Sequence, residues 1–149
     1  MHKLSFILIS VFLSTTVVMA DTGIISQKSA NSVKITADRL EKILISKGMT
    51  VFIRINHSAG AKKVGKKLRP TELIIFGNPK VGTPLMQCQQ TVALDLPQKA
   101  LIWEDESSQV WFSYNDPAYL LKRHDIKGCD KITQKITNAL ANFSQAAIQ

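Results

Sequence analysis

His57 is the side chain in this sequence best placed to do chemistry. It comes directly after a predicted strand and before a segment of small residues that begins Ser58-Ala59-Gly60. Loops that follow strands often carry binding residues, and an imidazole can transfer protons, ligate a metal or hold an anion. The alternative interpretation is a loop histidine whose ring bonds a backbone carbonyl.

A basic segment follows His57 in the chain. Lysines at this spacing pair on the surface of a helix, and together with His57 they could hold a phosphate, a sulfate or a carboxylate. The alternative is a solvated charged face without a ligand. The basic residues are Lys62, Lys63, Lys66, Lys67 and Arg69.

Two asparagines end predicted strands and complete the candidate site. Asn78 precedes Pro79, and Asn115 precedes Asp116-Pro117. We expect both to share an edge of the sheet with His57, although turn and cap chemistry also explains residues of these types. The predicted ligand-binding set is therefore His57, Lys62, Lys63, Asn78 and Asn115.

The motifs of well-known reaction classes are absent from the sequence. It contains no Gly-x-Ser-x-Gly, His-Glu-x-x-His, Walker or Cys-x-x-Cys-His pattern. Ser58 beside His57 is not a triad, since sequence neighbours rarely present the needed geometry. We therefore predict no cofactor and no metal site, and leave open whether the protein is an enzyme.

Cys88 and Cys129 are the two cysteines of the chain. In an oxidising compartment such an isolated pair predicts a disulfide, whereas in a cytosolic protein it would indicate unrelated buried thiols. Their spacing is far from Cys-x-x-Cys, which disfavours a redox-active pair.

Residues 1–20 have the layout of a secretory signal peptide. Lys3 is followed by an apolar stretch from Leu4 to Val18, and Val18-Met19-Ala20 offers small side chains at the positions that a signal peptidase inspects. The alternative is an uncleaved membrane anchor. We expect cleavage after Ala20, a periplasmic location and no stable membrane anchor thereafter. The formal net charge of +8 suits an anionic small molecule, a lipid head group or an acidic partner, but export argues against nucleic acid. The alternative is an exported protein that is simply basic and whose charge has no particular partner.

The remaining sequence predicts one α+β domain over residues 32–149, after a loose lead-in at residues 21–31. Apolar periodicity and turn residues indicate five strands, with helices that begin near Thr36, Thr83, Asp116 and Asp130, and a weak helix or mobile loop over His57–Leu68. We expect a two-layer sandwich, in which helices pack on one face of a mostly antiparallel sheet of about five strands. The predicted strands are Ser32–Ile35, Met49–Asn56, Thr71–Gly77, Lys99–Asp105 and Gln109–Asn115. In the second of these, strict alternation places an apolar stripe on one face, formed by Met49, Val51, Ile53 and Ile55, and Thr50, Phe52 and Arg54 on the other.

The predicted hairpin of the last two strands carries large apolar side chains on both faces. Trp103 lies with Leu101 on one face and Ala100 with Ile102 on the other, while Trp111 points away from its neighbours in sequence. If helices cover one face only, the other needs a partner or a ligand. A homodimer through the sheet face or the hairpin meets this need, and a loop folded over the face is the alternative.

The sequence resembles the bacterial and archaeal domain-of-unknown-function family numbered 302. The resemblance implies a two-layer α+β domain that tends to pair into dimers, and it implies no reaction. Asn56 stands where that family more often has an aspartate before the histidine, which puts a carboxylate–histidine dyad in doubt. The stretches that carry the resemblance are Phe76-Gly77-Asn78-Pro79, Gly82-Thr83-Pro84-Leu85-Met86, Leu94-Asp95-Leu96-Pro97 and Ser113-Tyr114-Asn115-Asp116-Pro117.

Taken together, these features predict an exported small binding or interaction module that forms a homodimer. The rival hypothesis is a small enzyme or sensor that uses His57 and the basic segment on an anionic or metal-bound ligand.

Overall fold

A single antiparallel sheet of five strands, in the order β1-β5-β4-β3-β2, organises the molecule. The structure, a computed structural model, describes residues 22–149, so the predicted signal peptide at residues 1–20 lies outside the described residues. The strands are β1 Ile24–Ser29, β2 Thr50–Asn56, β3 Thr71–Gly77, β4 Gln98–Glu104 and β5 Val110–Asn115. The helices are α1 Val33–Ser46, α2 His57–Lys63, α3 Pro79–Cys88, α4 Pro117–Arg123 and α5 Asp130–Ile148, with a 3-10 helix at Gln90–Leu94.

The core lies between one face of this sheet and the helices. Alternate residues of β3, Ile74 and Phe76, are buried with Leu40 of α1 and Phe143 of α5, and the rings of Phe76 and Phe143 meet edge to face. The neighbouring residues of β3 on the opposite face are only half-buried. The predicted α+β sandwich, with helices on one face of a five-stranded antiparallel sheet, is therefore confirmed.

The first strand lies where the sequence predicted a loose lead-in. Ile24–Ser29 pairs with β5 along its whole length, from Ile24 opposite Asn115 to Ser29 opposite Val110. Its inward positions are Ile25, Gln27 and Ser29, two of which are polar. The segment therefore lacks the alternation of apolar and polar residues that would predict a strand. Its pairing with β5 makes it one.

The segment Ser32–Ile35, predicted as a strand, is the start of α1. Ser32 is the N-cap, and its Oγ accepts a hydrogen bond from the backbone N–H of Ile35. The cap was predicted four residues later, at Thr36, which is buried inside the helix. In the same way α3 begins after Asn78 rather than Thr83, because the Asn78 side chain accepts from the N–H of Lys80.

A β-bulge at Phe52 divides the apolar stripe predicted for β2. Val51 pairs with Phe76, but Ile53 pairs with Ile75, so Phe52 is the extra residue. Val51 consequently faces the core, whereas Ile53 turns to the face that no helix covers. A strict alternation had placed both on one side, and one inserted residue is enough to reverse the side chains beyond it.

The bulge also directs Arg54 towards the helices, where it meets three carboxylates. Its Nε donates to Glu72 at 2.6 Å, and its Nη1 donates to Asp38 at 2.7 Å and to Glu41 at 3.3 Å. Bonds from Lys34 and Arg54 hold the pKa of Asp38 below its usual range. Glu72 is buried, so Arg54 neutralises a charge that water does not reach while it ties α1 to two strands.

Cys88 and Cys129 form a disulfide-capable pair. Their Cα atoms are 6.5 Å apart, which lies within the roughly 4.4–6.8 Å range usual for a disulfide. Cys88 is the last residue of α3 and Cys129 immediately precedes α5, so the pair connects these two helices.

Replacing Arg54 should destabilise the fold sharply. Arg54→Met leaves Glu72 buried without its cation, and we expect the free energy of unfolding in urea to fall by about 3 kcal/mol. The control is Arg69→Met, since Arg69 pairs with the exposed Glu106 at 3.3 Å and should lose at most about 1 kcal/mol. Arg54→Met combined with Glu72→Met should recover most of the loss. Equal losses for the two single variants would contradict this account.

Candidate functional site

The structure does not bring the five predicted ligand-binding residues together. His57 begins α2 at the Asn56 end of β2, while Asn78 follows β3 at the Thr50 end, where its Nδ2 donates to the Gly48 carbonyl at 2.9 Å. Six strand residues separate these ends by about 20 Å. Asn115 ends β5 at the Asn78 end of the sheet. The expected edge shared by His57, Asn78 and Asn115 is therefore not formed.

His57 and the two lysines of α2 also point in different directions. All three side chains are exposed. Lys62 follows His57 by five residues, which places it about 140° around the helix, and Lys63 lies about 120° away on the other side. The predicted combination of an imidazole with lysines is therefore not assembled by α2.

A shallow basic recess does lie beside α2, but His57 does not line it. Lys62, Lys66, Lys67 and Arg69 surround it, and Glu104 supplies one carboxylate. Asn56 organises this end of the sheet, because its Oδ1 accepts from Ser58 Oγ at 2.9 Å and from the Ala59 N–H at 2.7 Å. The asparagine in place of the family's aspartate thus acts as the N-cap of α2.

The sheet face opposite the helices is left open by them. Its middle row runs Ile55, Leu73, Leu101, Ser113 and Ser26 across the five strands. The adjacent rows add Ile53, Ile75, Trp103 and Trp111, of which Ile53 is 50% exposed. A loop folded over this face was the alternative to a dimer. Residues 57–68 do not cover this part of β2, because Ile53 remains exposed.

Two tryptophans form the aromatic part of this open face, and each indole N–H has a fixed partner. Trp103 and Trp111 are paired across β4 and β5, with ring centroids 6.5 Å apart and an interplanar angle of 23°. Trp103 Nε1 donates to Ser113 Oγ at 3.0 Å, and Ser113 Oγ in turn bonds Ser26 Oγ at 2.8 Å. Both rings are thus held in place by polar neighbours on the same face or at its turn.

Asp105 is the partner of Trp111, and sequence reasoning missed its role. Its Oδ2 accepts from Trp111 Nε1 at 2.7 Å, while Oδ1 accepts from Ser107 Oγ and from the N–H groups of Ser107 and Gln109. The bonds from Trp111 and Ser107 lower the pKa of Asp105 to about 2. An aspartate opening a hairpin turn, followed by serines, is the signal that could have revealed it.

His124, the C-cap residue of α4, takes part in a largely buried chain of hydrogen bonds. Its Nε2 lies 2.6 Å from Asp95 Oδ2, and its Nδ1 lies 3.1 Å from Thr91 Oγ1. The ring is 5% exposed, so these contacts fasten the loop before β4 to the end of α4. Within residues 22–149, no group of three or more His, Cys, Asp or Glu side chains is arranged to hold a metal ion.

The family profile described as "Domain of unknown function DUF302" matches residues 25–143, most of the chain. The chain belongs to the DUF302 family. A crystal structure of an uncharacterized conserved DUF302 protein from Bacillus stearothermophilus superposes with a TM-score of 0.76 at 16% identity, over 87% of this chain and 100% of that one. That likeness shows that the two DUF302 proteins share a fold.

Two longer relatives also contain a segment similar to this DUF302 chain. The fluoride-specific ion channel FluC 1 of Brucella suis biovar 1 (strain 1330) is 52% identical over 106 residues, which cover 71% of this chain and 42% of that protein. Its namesake from Brucella abortus biovar 1 (strain 9-941) is equally similar over 39% of its length. The chain thus spans about two fifths of these curated relatives. In the part of the chain that the structure describes, no helix is long and apolar enough to cross a membrane.

The hydrogen bonds that the Asp105 carboxylate accepts should make the free energy of unfolding depend on pH in the acid range. Because its pKa falls from the ordinary 3.8 to about 2 on folding, its contribution is complete above pH 3.8 and is lost as pH falls towards 2. Asp105→Asn should be less stable than the wild type at pH 6, and that difference should shrink between pH 4 and pH 2 in urea titrations. Asp125→Asn, an exposed aspartate paired with Lys127, is the control. If the difference in stability between Asp105→Asn and the wild type is constant with pH, the Asp105 carboxylate does not stabilise the fold in this way.

Proposed function

We propose that this DUF302 protein is an exported binding module that works as a homodimer, with the open sheet faces of two copies packed together. The observation that carries the proposal is the pair of hydrogen-bonded tryptophans on a face without helices. The predicted signal peptide and the disulfide-capable cysteine pair support the exported location.

The apolar content of the open face argues that it is covered in solution. Seven large apolar side chains lie on four adjacent strands of this face. Soluble monomers rarely expose contiguous apolar patches larger than a few hundred Å², and larger ones mark interaction sites. The seven side chains are Ile53, Ile55, Leu73, Ile75, Leu101, Trp103 and Trp111.

The tryptophans are suited to be the anchors of such an interface. Tryptophan is enriched among the residues that dominate binding energy. Side chains that are already fixed lose less conformational entropy on association. Here Ser113 and Asp105 hold the two indoles before any partner arrives.

The charges near the face lie away from its centre. Lys99 is on this face, but its ammonium folds back to donate to the carbonyls of Asp95 and Pro97, both at 3.1 Å. Lys28, on the edge strand β1, places its Nζ 5.5 Å from the ring centroid of Trp111. Two copies packed through the centre would therefore not bury an unpaired charge, which is the costly alternative.

Dimerisation is tested by placing charges on the face. We expect the wild type to sediment as a dimer at micromolar concentration, and Ile53→Glu or Trp111→Glu to sediment as a folded monomer. Leu94→Glu is the matched control, because Leu94 is 78% exposed but lies in the 3-10 helix, away from the sheet. Circular dichroism reports whether each variant is folded. A monomeric wild type, or an Ile53→Glu protein that stays dimeric, would overturn the proposal.

The basic recess supports a second candidate function, the binding of a small anion. Four cationic side chains converge there, and Lys62 and Lys67 have no ion-pair partner in the described region. The Brucella relatives are named as fluoride-specific channels, so fluoride belongs with phosphate and acetate among the anions to be tried.

Anion binding at the recess should depend on lysines and salt but not on His57. Lys66→Gln with Lys67→Gln should weaken phosphate binding at least tenfold in calorimetry, and raising the salt concentration should weaken it in the wild type. The control pair is Lys122→Gln with Lys127→Gln. If His57→Ala instead weakens phosphate binding as much as the lysine pair does, the imidazole takes part in binding and the rival hypothesis is favoured.

A further inference from the structure

A pocket lies on the other side of the sheet, beside α3. Between α3, α5 and the ends of β2 and β3, the structure contains a cavity of about 730 Å³. Pockets of roughly 300–1,000 Å³ accommodate small organic ligands. The walls are mainly apolar and come from separate elements, including Met49, Phe76, Met86, Ile136 and Phe143. The pocket is open to solvent on one side, where exposed residues such as Phe52 and Lys80 line it.

All the charged side chains that line this cavity are positive. Lys47 comes from the end of α1, Lys80 from the first turn of α3, and Lys135 from α5. No aspartate or glutamate of the described residues lines it. The same lysines form no ion pair with any carboxylate in residues 22–149. Charge at the site therefore favours an anionic group, while the walls favour a hydrocarbon.

One buried polar side chain also lines the cavity. Gln98, at the start of β4, is 8% exposed, and its Nε2 has no hydrogen-bond partner. A buried amide without a partner is unfavourable, and such groups in a cavity wall are commonly satisfied when a ligand or water is bound. A ligand oxygen within reach could accept the missing hydrogen bond from Gln98 Nε2.

We propose that the cavity binds a free single-chain amphipathic carboxylate of the fatty-acid class. The hydrocarbon chain lies between α3 and α5, and the carboxylate lies among the three lysines. A small anion without a tail would leave the apolar walls unused, and a neutral hydrocarbon would leave the lysines unpaired. This proposal is independent of dimerisation, since the cavity and the open face lie on opposite sides of the sheet.

A series of alkanoates tests the site. Octanoate, decanoate and dodecanoate are titrated below their critical micelle concentrations into protein produced from the full-length sequence, with calorimetric detection. Each added methylene should tighten Kd about fourfold while the cavity has room. Decanol should bind at least tenfold more weakly than decanoate, and decyltrimethylammonium more weakly still. Absence of binding, or equal binding of the cationic and anionic amphiphiles, would overturn the proposal.

Two variants separate the head group from the tail. Lys47→Gln, Lys80→Gln and Lys135→Gln together should abolish the preference for decanoate over decanol but keep the dependence on chain length. Lys62→Gln, Lys66→Gln and Lys67→Gln make the same change of charge at the basic recess and should alter neither. If the recess variant loses the decanoate preference instead, the assignment to the cavity is wrong.

Filling the cavity should remove the tail site. Gly82 lies in α3 and lines the cavity, and an added Cβ would meet only Leu96 Cδ1, at 3.9 Å. Gly82→Leu should therefore fold, as checked by its melting curve, and weaken decanoate at least tenfold. Gln98→Leu should melt higher without ligand and reduce the gain in melting temperature from decanoate. If Gly82→Leu folds and binds decanoate like the wild type, the cavity is not a fatty-acid site.

Discussion

The extra residue in β2 determines what each side of the sheet can do. Because Phe52 is inserted between the pairs Val51–Phe76 and Ile53–Ile75, the strand changes the direction of its side chains at that point. Before the bulge Val51 faces the core, and after it Ile53 and Ile55 face solvent while Arg54 turns inwards. The contact of Arg54 with the buried Glu72 and the apolar rows of the open face therefore have one geometric origin.

The same bulge affects the end of the sheet where the cavity opens. Phe52 is 54% exposed, and its ring lies against Gly77, where an added Cβ would be 3.3 Å from Cε2. A glycine at the end of β3 thus accommodates the displaced ring, and Phe52 becomes part of the cavity lining. One irregularity in one edge strand supplies apolar surface to the open face and to the cavity on the helical side.

Strands were predicted well where buried residues follow a simple apolar pattern in the sequence. They were predicted poorly where backbone pairing or a bulge determines the strand. β3, β4 and β5 were predicted nearly to their bounds because their apolar residues alternate or run continuously. β1 was missed because Gln27 and Ser29 point inwards, and its stability comes from backbone bonds to β5 that no local pattern reveals. The faces of β2 were assigned wrongly because a bulge leaves no mark in the order of apolar residues.

The candidate sites also differ in how much of each could be predicted from the sequence. His57 and its lysines are close in the chain, but the rotation of α2 separates them, and the length of the sheet separates His57 from Asn78. The aromatic pair was visible from the hairpin pattern, whereas Asp105 and Ser113 became meaningful only once their bonds to the indoles were seen. The cavity draws on residues from Lys47 to Phe143, so its composition depends wholly on tertiary structure.

The cysteine pair links this tertiary arrangement to the proposed location. Cys88 ends α3 and Cys129 precedes α5, and residues of both helices line the cavity. A disulfide there would limit how far α3 can move from α5. In an oxidising compartment the cavity would therefore keep its shape without filling its interior with side chains. The pair therefore relates the predicted export to the two helices from which the proposed fatty-acid site takes much of its lining.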